Sequence, residues 1–247
     1  MPIYKKTRLD TLLVDCGLAA TRAQAADLVR RGCVAVDGAT VAKPGQLVAR
    51  DAVLAVSPGA APYVSRGGLK LAAALDAFAI DPRGRLCLDL GASTGGFTEV
   101  LLSRGAERVY AVDVGHGQLH PKLAADPRVV SLEATDARRL DRVLVPEPID
   151  LLVADVSFIS LKLVLPPIVP LLAPDAALVA LVKPQFEAGP ALTRKGIVRD
   201  EAVQRRVCDD IGAFVVSLGF EVAGLIPSPI LGREGNRELF LIGARRG

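Results

Sequence analysis

Five apolar segments, at 86–90, 108–113, 129–133, 149–155 and 177–183, alternate with helical patterns near 97–104, 119–125, 161–165 and 201–218. Unbroken apolar strands separated by helices predict a parallel sheet covered on both faces, hence an α/β domain. Ligands of such sheets bind beyond the carboxyl ends of the strands. A helix near 67–79 precedes the first strand, with Leu71, Leu75 and Phe78 on one stripe and Lys70 off it. Two further strands, about 220–226 and 238–244, close the chain.

The first of these strand ends carries the strongest signal. Leu86-Cys-Leu-Asp-Leu90 runs into Gly91, Ala92, Ser93, Thr94, Gly95, Gly96 and Phe97. Small residues there let the backbone pass close to a ligand, and the helix that follows presents free N–H groups. A phosphate-binding P-loop would need a Lys after Gly95-Gly96, and none stands there. The spacing Gly91, Gly95, Gly96 also departs from the G-x-G-x-x-G of nicotinamide sites. A purely structural tight turn is the bland alternative.

S-adenosylmethionine fits the loop best. Asp89 would receive its ammonium. Asp113, ending the next strand, would bind the ribose hydroxyls, with Val114 beside it. Asp136, after the third strand, would meet the adenine edge through its side chain or through neighbouring backbone such as Ala137. Any one of these acids reads as a cap or a surface residue; three at successive strand ends point to an adenosine cofactor.

Asp155 ends the fourth strand and Lys183 the fifth, on the same edge. Pro184 holds Lys183 extended, so that its side chain projects from the strand end. Methyl transfer to a hydroxyl needs an oriented, partly deprotonated oxygen. A lysine is a poor base at neutral pH unless burial or a second cation lowers its affinity for the proton, and Lys70 is a candidate for that cation. Phe158 or Phe186 could stack on a freed base, although core packing is expected of each. His116 and His120 read as surface residues, and no metal is expected.

At 247 residues the chain accommodates an ordinary domain and a small one, and the charge distribution separates them. Residues 1–66 hold nine Lys and Arg against five Asp, a net of +4; the other 181 residues hold 21 against 22, a net of −1. A basic module on a near-neutral domain suits a polyanion, and Arg22, Arg30, Arg31 and Lys43 are its candidate phosphate contacts, with Arg194, Lys195 and Arg199 adding to them. The module reads as two short helices followed by short β segments. The first helix carries Leu9, Leu12 and Leu13 and stops at Gly17; the second opens at Thr21 and carries Ala25, Leu28 and Val29. The turn Asp37-Gly38 lies among the β segments. The expected organisation is a polyanion-binding domain over 1–60, a linker over 61–66 within a Pro- and Ala-rich stretch, and a catalytic domain over 67–247.

Cys16, Cys33, Cys87 and Cys208 show no paired spacing and lie in apolar contexts, so buried thiols in a reducing, cytoplasmic setting are expected. The stretch Leu163–Val182 has the length of a membrane span, but Pro166, Pro167, Pro170 and Pro174 make a short helix, a Pro-rich turn and a strand the better reading.

Taken together, the segments Arg8-Leu-Asp10 with Thr21-Arg22, Val64-Ser-Arg66-Gly-Gly-Leu-Lys70, Asp89 to Glu99, Asp113-Val-Gly, Asp155-Val-Ser-Phe-Ile-Ser160, Leu181-Val-Lys-Pro-Gln-Phe-Glu187 and Gly235-Asn-Arg-Glu238 resemble the TlyA family of ribosomal RNA 2′-O-methyltransferases, also called hemolysin A. The resemblance spans nearly the whole chain. It implies an α+β RNA-binding domain like that of ribosomal protein S-four, joined to a Rossmann-like, S-adenosylmethionine-dependent methyltransferase domain of the FtsJ type. It implies a catalytic tetrad at Lys70, Asp155, Lys183 and Glu238, of which Glu238 comes from the resemblance alone. Arg8 and Arg66 are further expected RNA contacts. The expected substrate is a cytidine ribose in rRNA of a subunit or assembled ribosome, approached by a monomer or weak dimer with no membrane partner. Where some members carry Arg-Ala-Trp-Val before the catalytic domain, this chain has Ala61-Pro-Tyr-Val64. The chain ends soon after its last strand, and large-subunit rRNA is the expected target. The competing readings are a membrane-active hemolysin, an RNA-binding assembly factor without catalysis, and a methyltransferase acting on a base or a small molecule.

Overall fold

The computed structural model describes residues 6–19, 21–30, 32–41, 43–56, 63–189, 192–193, 196–232 and 235–245. Arg31, Arg194, Lys195 and the first two residues of the expected linker, 61–62, lie outside them. The chain divides into Met1–Arg66 and Gly67–Gly247.

In the first unit, β1 (Lys6–Arg8) leads into α1 (Leu9–Asp15) and α2 (Arg22–Arg30), followed by β2 (Val34–Val36), β3 (Ala39–Thr40), β4 (Leu47–Ala49) and β5 (Leu54–Val56). Leu9, Leu12, Leu13, Ala25, Leu28 and Val29 meet in one apolar core, the stripes expected from the sequence. Gly17 ends the first helix at φ +70°, and the Gln24 N–H donates to Thr21 Oγ1 at 3.2 Å to open the second. Asp37 and Gly38 both take positive φ, as a two-residue hairpin turn between β2 and β3 requires. One expectation fails. Cys16 is exposed while Cys33, Cys87 and Cys208 are buried, because α1 stops at Asp15 and leaves Cys16 in the C-cap.

The second unit opens with α3 (Gly67–Ala77), then β6 (Leu86–Leu90), α4 (Gly96–Ser103), β7 (Arg108–Val112), α5 (Pro121–Ala124), β8 (Val129–Leu132) and β9 (Ile149–Ala154). It continues through α6 (Leu161–Val164), a 3-10 helix Pro166–Leu171, β10 (Leu172–Val182), α7 (Pro184–Glu187), α8 (Glu201–Ser217), β11 (Phe220–Pro227) and β12 (Leu239–Arg245). One seven-stranded sheet has the order β11-β12-β10-β9-β6-β7-β8; β8 to β10 are parallel, and β12 runs antiparallel between β10 and β11. This is a Rossmann-like α/β sheet.

The chain leaves β6 toward β7 and β8, then returns to the other side of β6 as β9. The crevice between the carboxyl ends of β6 and β9 is therefore the switch point where such sheets take ligands. β10 begins five residues earlier than expected. Its register shifts between Leu172 and Ala177, where exposed Pro174 and Asp175 sit in the irregularity; proline, which cannot donate to a ladder, is tolerated at such a bulge. The apolar stretch 163–182 is thus part of a helix, a proline turn and a strand, and no helix among the described residues is long and apolar enough to cross a membrane.

Candidate active site

The glycine loop is shaped by what lies beneath it. Gly91 has φ +80°, and a Cβ there would stand 2.8 Å from the Asp155 carbonyl oxygen; Gly95 has φ +93° and a Cβ would collide with Leu123. Only glycine meets both demands. Ala92, Gly95, Gly96 and Phe97 are buried, Phe97 with its ring centroid 6.2 Å from that of Phe240. Thr94 accepts the His120 N–H through its carbonyl at 3.2 Å.

Asp89 is fully buried. Its Oδ2 accepts from Thr98 Oγ1 at 2.7 Å, and its Oδ1 has no hydrogen-bond partner among the described residues. Burial pushes its carboxyl up to about 7, against the pull of the Thr98 hydrogen bond. A buried carboxylate oxygen without a partner is expensive and marks a place where a cation or donor belongs. Asp113, just past β7, accepts from the N–H groups of Ser93 at 2.8 Å and Gly115 at 2.7 Å, so each oxygen keeps a lone pair for a hydroxyl. Val114 next to it is an exposed apolar surface. Asp136 caps the 3-10 helix Ala137–Arg139, accepting the Arg138 N–H at 2.9 Å and pairing with the Arg138 guanidinium at 2.6 Å, which holds its carboxyl down at about 2. The Asp136 side chain is therefore already engaged, which leaves the neighbouring backbone as the open one of the two expected routes to adenine.

The lysines form two separate ion pairs. Lys183 stands at φ −113°, ψ 99° between β10 and α7, extended as Pro184 dictates. Its Nζ lies 2.6 Å from Asp155 Oδ1, donates to Ser157 Oγ at 2.8 Å, and approaches the Asp155 carbonyl at 3.4 Å. Lys70 Nζ pairs with Glu238 Oε2 at 2.5 Å, both side chains buried. The sequence placed Lys70 off the apolar stripe of its helix and offered it as the second cation for Lys183, with no partner of its own. Its burial is the result of a partner 168 residues away. Strand pairing ends at Val182–Leu239, so Lys183 and Glu238 leave the sheet side by side, and the Asp155 N–H donates to the Leu90 carbonyl at 2.9 Å one strand further in. Asp89, Asp155, Lys183 and Glu238 thus share one sheet edge.

Ser157 and Gly232 were not legible as site components, and the two readings of Phe158 are decided by its exposure. Ser157 touches Lys183, yet no pattern singled it out. Phe158 is 86% exposed at φ +64°, with its ring centroid 5.0 Å from that of half-buried Phe186, so core packing is overturned for Phe158. Gly232 lies directly on the Glu238 carboxylate, where any side chain would collide.

In the first unit, Arg8 and Arg22 flank the buried Asp10, at 2.7 and 3.3 Å from its Oδ2, and hold its carboxyl down at about 2. Both guanidiniums are half exposed or more, fixed in direction with faces left free for phosphate. Arg30 and Lys43 are exposed, and Arg66 pairs with Asp27. His116 is exposed, and His120 Nδ1 caps α5 by accepting the Lys122 N–H at 3.2 Å. No cluster of three or more His, Cys, Asp or Glu suited to a metal ion exists among the described residues.

Comparison with known proteins places this geometry. The family model described as FtsJ-like methyltransferase matches residues 63–246, and that of the S4 domain matches 7–54. A Mycobacterium tuberculosis protein named 16S/23S rRNA (cytidine-2'-O)-methyltransferase TlyA is 47% identical over 239 residues, covering 96% of this chain and 89% of its own. A Campylobacter jejuni protein named 23S rRNA (cytidine-2'-O)-methyltransferase TlyA is 37% identical over 180 residues, 72% of this chain and 69% of its own. A solved structure from Streptococcus thermophilus, carrying a provisional hemolysin name, superposes with a TM-score of 0.79 at 42% identity and covers 98% of this chain and 90% of its own.

Proposed function

The chain belongs to the TlyA family of FtsJ-like methyltransferases, and from that premise we propose that it methylates the ribose 2′-hydroxyl of a cytidine in ribosomal RNA, with S-adenosylmethionine as donor and large-subunit rRNA as the favoured target. The carrying observation is that the Lys183–Asp155 pair abuts the glycine loop, the Asp155 carbonyl packing on Gly91. Large-subunit rRNA is the target common to the names of the M. tuberculosis and C. jejuni relatives.

The residues present fit the cofactor. Asp89 Oδ1, buried without a partner among the described residues, suits its ammonium; Gly91 and Gly95 supply a wall without side chains; Asp113 suits its ribose; Val114 and the backbone at Asp136 and Ala137 suit its adenine. When bound, S-adenosylmethionine supplies an electrophilic methyl group.

Every other element is the chain's own. Lys183 orients the 2′-hydroxyl and holds or takes its proton, and Asp155 balances the charge that results. Among the described residues Ser157 is the exposed partner of Lys183, so a ribose hydroxyl reaches the ammonium from that side. The buried Lys70–Glu238 pair keeps a second cation and its counter-charge beside Lys183 without solvent. Phe158, exposed beside them, offers a ring face to an unstacked base. Arg8, Arg22, Arg30 and Lys43 bind phosphates and position the particle.

The test uses purified large and small ribosomal subunits, each incubated with labelled cofactor and either the parent or K183A, followed by mapping of the modified nucleotide. Label on a cytidine ribose of large-subunit rRNA, absent with K183A, is expected. Label on a base, or full activity of K183A, overturns the assignment. Equal labelling of the small subunit overturns the target preference alone.

A further inference from the structure

The segment from Asp155 to Ser160 supplies both side chains that hold Lys183, yet it lies in neither helix nor strand. Its first residue is tied to the sheet by the Asp155 N–H on the Leu90 carbonyl. Its far end is tied to one side chain. Glu187, the last residue of α7 and four beyond Lys183, accepts Ser160 Oγ on Oε2 at 2.5 Å and the Leu161 N–H on Oε1 at 2.9 Å. Between these ties Phe158 holds φ +64°, a conformation that a bulky residue keeps only when its surroundings impose it. Lys183 and Glu187 thus grip the same loop from the two ends of α7.

We propose that Glu187 is a positioning residue for the methyl transfer: by clamping Ser160 and Leu161 it holds the loop at the span that keeps Asp155 Oδ1 and Ser157 Oγ on the Lys183 ammonium. The proposal rests on the reading of Lys183 as the group that handles the ribose hydroxyl. Burial raises the Glu187 carboxyl above the ordinary glutamate range. An acid kept there despite burial is retained for its two acceptor oxygens, one for each end of the clamp. Among the described residues the hydrogen bonds of Glu187 go to Ser160 and Leu161 and none to the glycine loop, so its loss slackens the lysine pair and leaves the cofactor cradle intact.

The experiment compares the full-length parent with E187A, E187Q, S157A, E187A/S157A, S160A and K183A. It measures steady-state methylation of ribosomal subunits, and binding of S-adenosylhomocysteine by calorimetry. A misplacement on the order of 1 Å lowers a rate by about 10²-fold, so E187A should lose roughly that in kcat. Its KM for subunits and its Kd for S-adenosylhomocysteine should stay within about twofold, since those contacts are elsewhere. E187Q should recover to within a few-fold, because its amide oxygen accepts the Leu161 N–H and its NH2 donates to Ser160 Oγ. E187A/S157A should be no worse than the poorer single variant, because both act through Lys183. If E187A does not yield folded protein, S160A, which deletes one of the two ties, carries the test with a several-fold fall in kcat.

Wild-type kcat in E187A, or in S160A where that variant carries the test, with K183A inactive overturns the role of Glu187 alone. So do additive losses in the double variant, an unrecovered E187Q, or equal losses in kcat and cofactor binding. Activity in K183A overturns the underlying reading of the site instead.

Discussion

Removing the charge at Asp89 should change the pH dependence of both folding and cofactor binding. Its carboxyl ordinarily titrates at 3.8 and is pushed up to about 7 by complete burial. Below about pH 4 both folded and unfolded chains carry it protonated, and it has no effect on stability. Between pH 4 and 7 the unfolded chain ionises while the folded chain keeps its proton, so stability falls as pH rises; above 7 both are ionised and the penalty is constant. At 1.36 kcal/mol per unit, the penalty is roughly 1.6 kcal/mol at pH 5 and about 4 kcal/mol at pH 8. D89N retains an oxygen for Thr98 and deletes the ionisation, and whatever its amide costs is independent of pH. The variant should therefore gain about 3 kcal/mol on the parent between pH 5 and pH 8, read by urea unfolding at both values, or roughly 6–12 °C in Tm at this size. Cofactor binding should show the opposite face. An ammonium on Oδ1 requires the ionised form, so the parent's Kd for S-adenosylhomocysteine should weaken about tenfold per unit below pH 7, with proton release, while D89N binds weakly at every pH. A stability difference that stays flat from pH 5 to 8, or a parental Kd independent of pH between 5.5 and 8, refutes the reasoning.

E238A should cost about 3–5 kcal/mol in urea unfolding, because it leaves the Lys70 ammonium buried alone, whereas the K70M/E238L double variant should recover most of that stability and still fail to methylate. G91A should destabilise by about 1–3 kcal/mol from its φ of +80°, and should lose methylation because the new Cβ drives the Asp155 carbonyl away. R22A and R30A should each flatten the log–log salt dependence of rRNA binding by about one, measured by filter binding across salt; an unchanged slope in both removes these arginines from the phosphate contacts.

What the sequence disclosed follows from where each signal is stored. A strand end is a local event: an apolar run stops, a charged residue follows, and the geometry of a parallel sheet decides which edge it occupies. Asp89, Asp113, Asp155 and Lys183 were therefore found where the pattern predicts them, and Thr21, Gly17 and Asp37-Gly38 likewise. Lys70 shows the limit of periodicity. A lysine beside an apolar stripe has no partner of its own until a carboxylate arrives from 168 residues away, and nothing within α3 announces it. The irregular segments hide most. Phe158 belongs by composition to a core, but a positive φ turns it outward; Asp136 follows a strand as a ligand would, but Arg138 two residues on captures its side chain. Ser157 and Glu187 acquire their partners only once the loop after β9 folds against α7. The residues that would move a proton could thus be read from the pattern, while those that hold them in place could not, because holding is a property of the closed loop and not of any spacing along the chain.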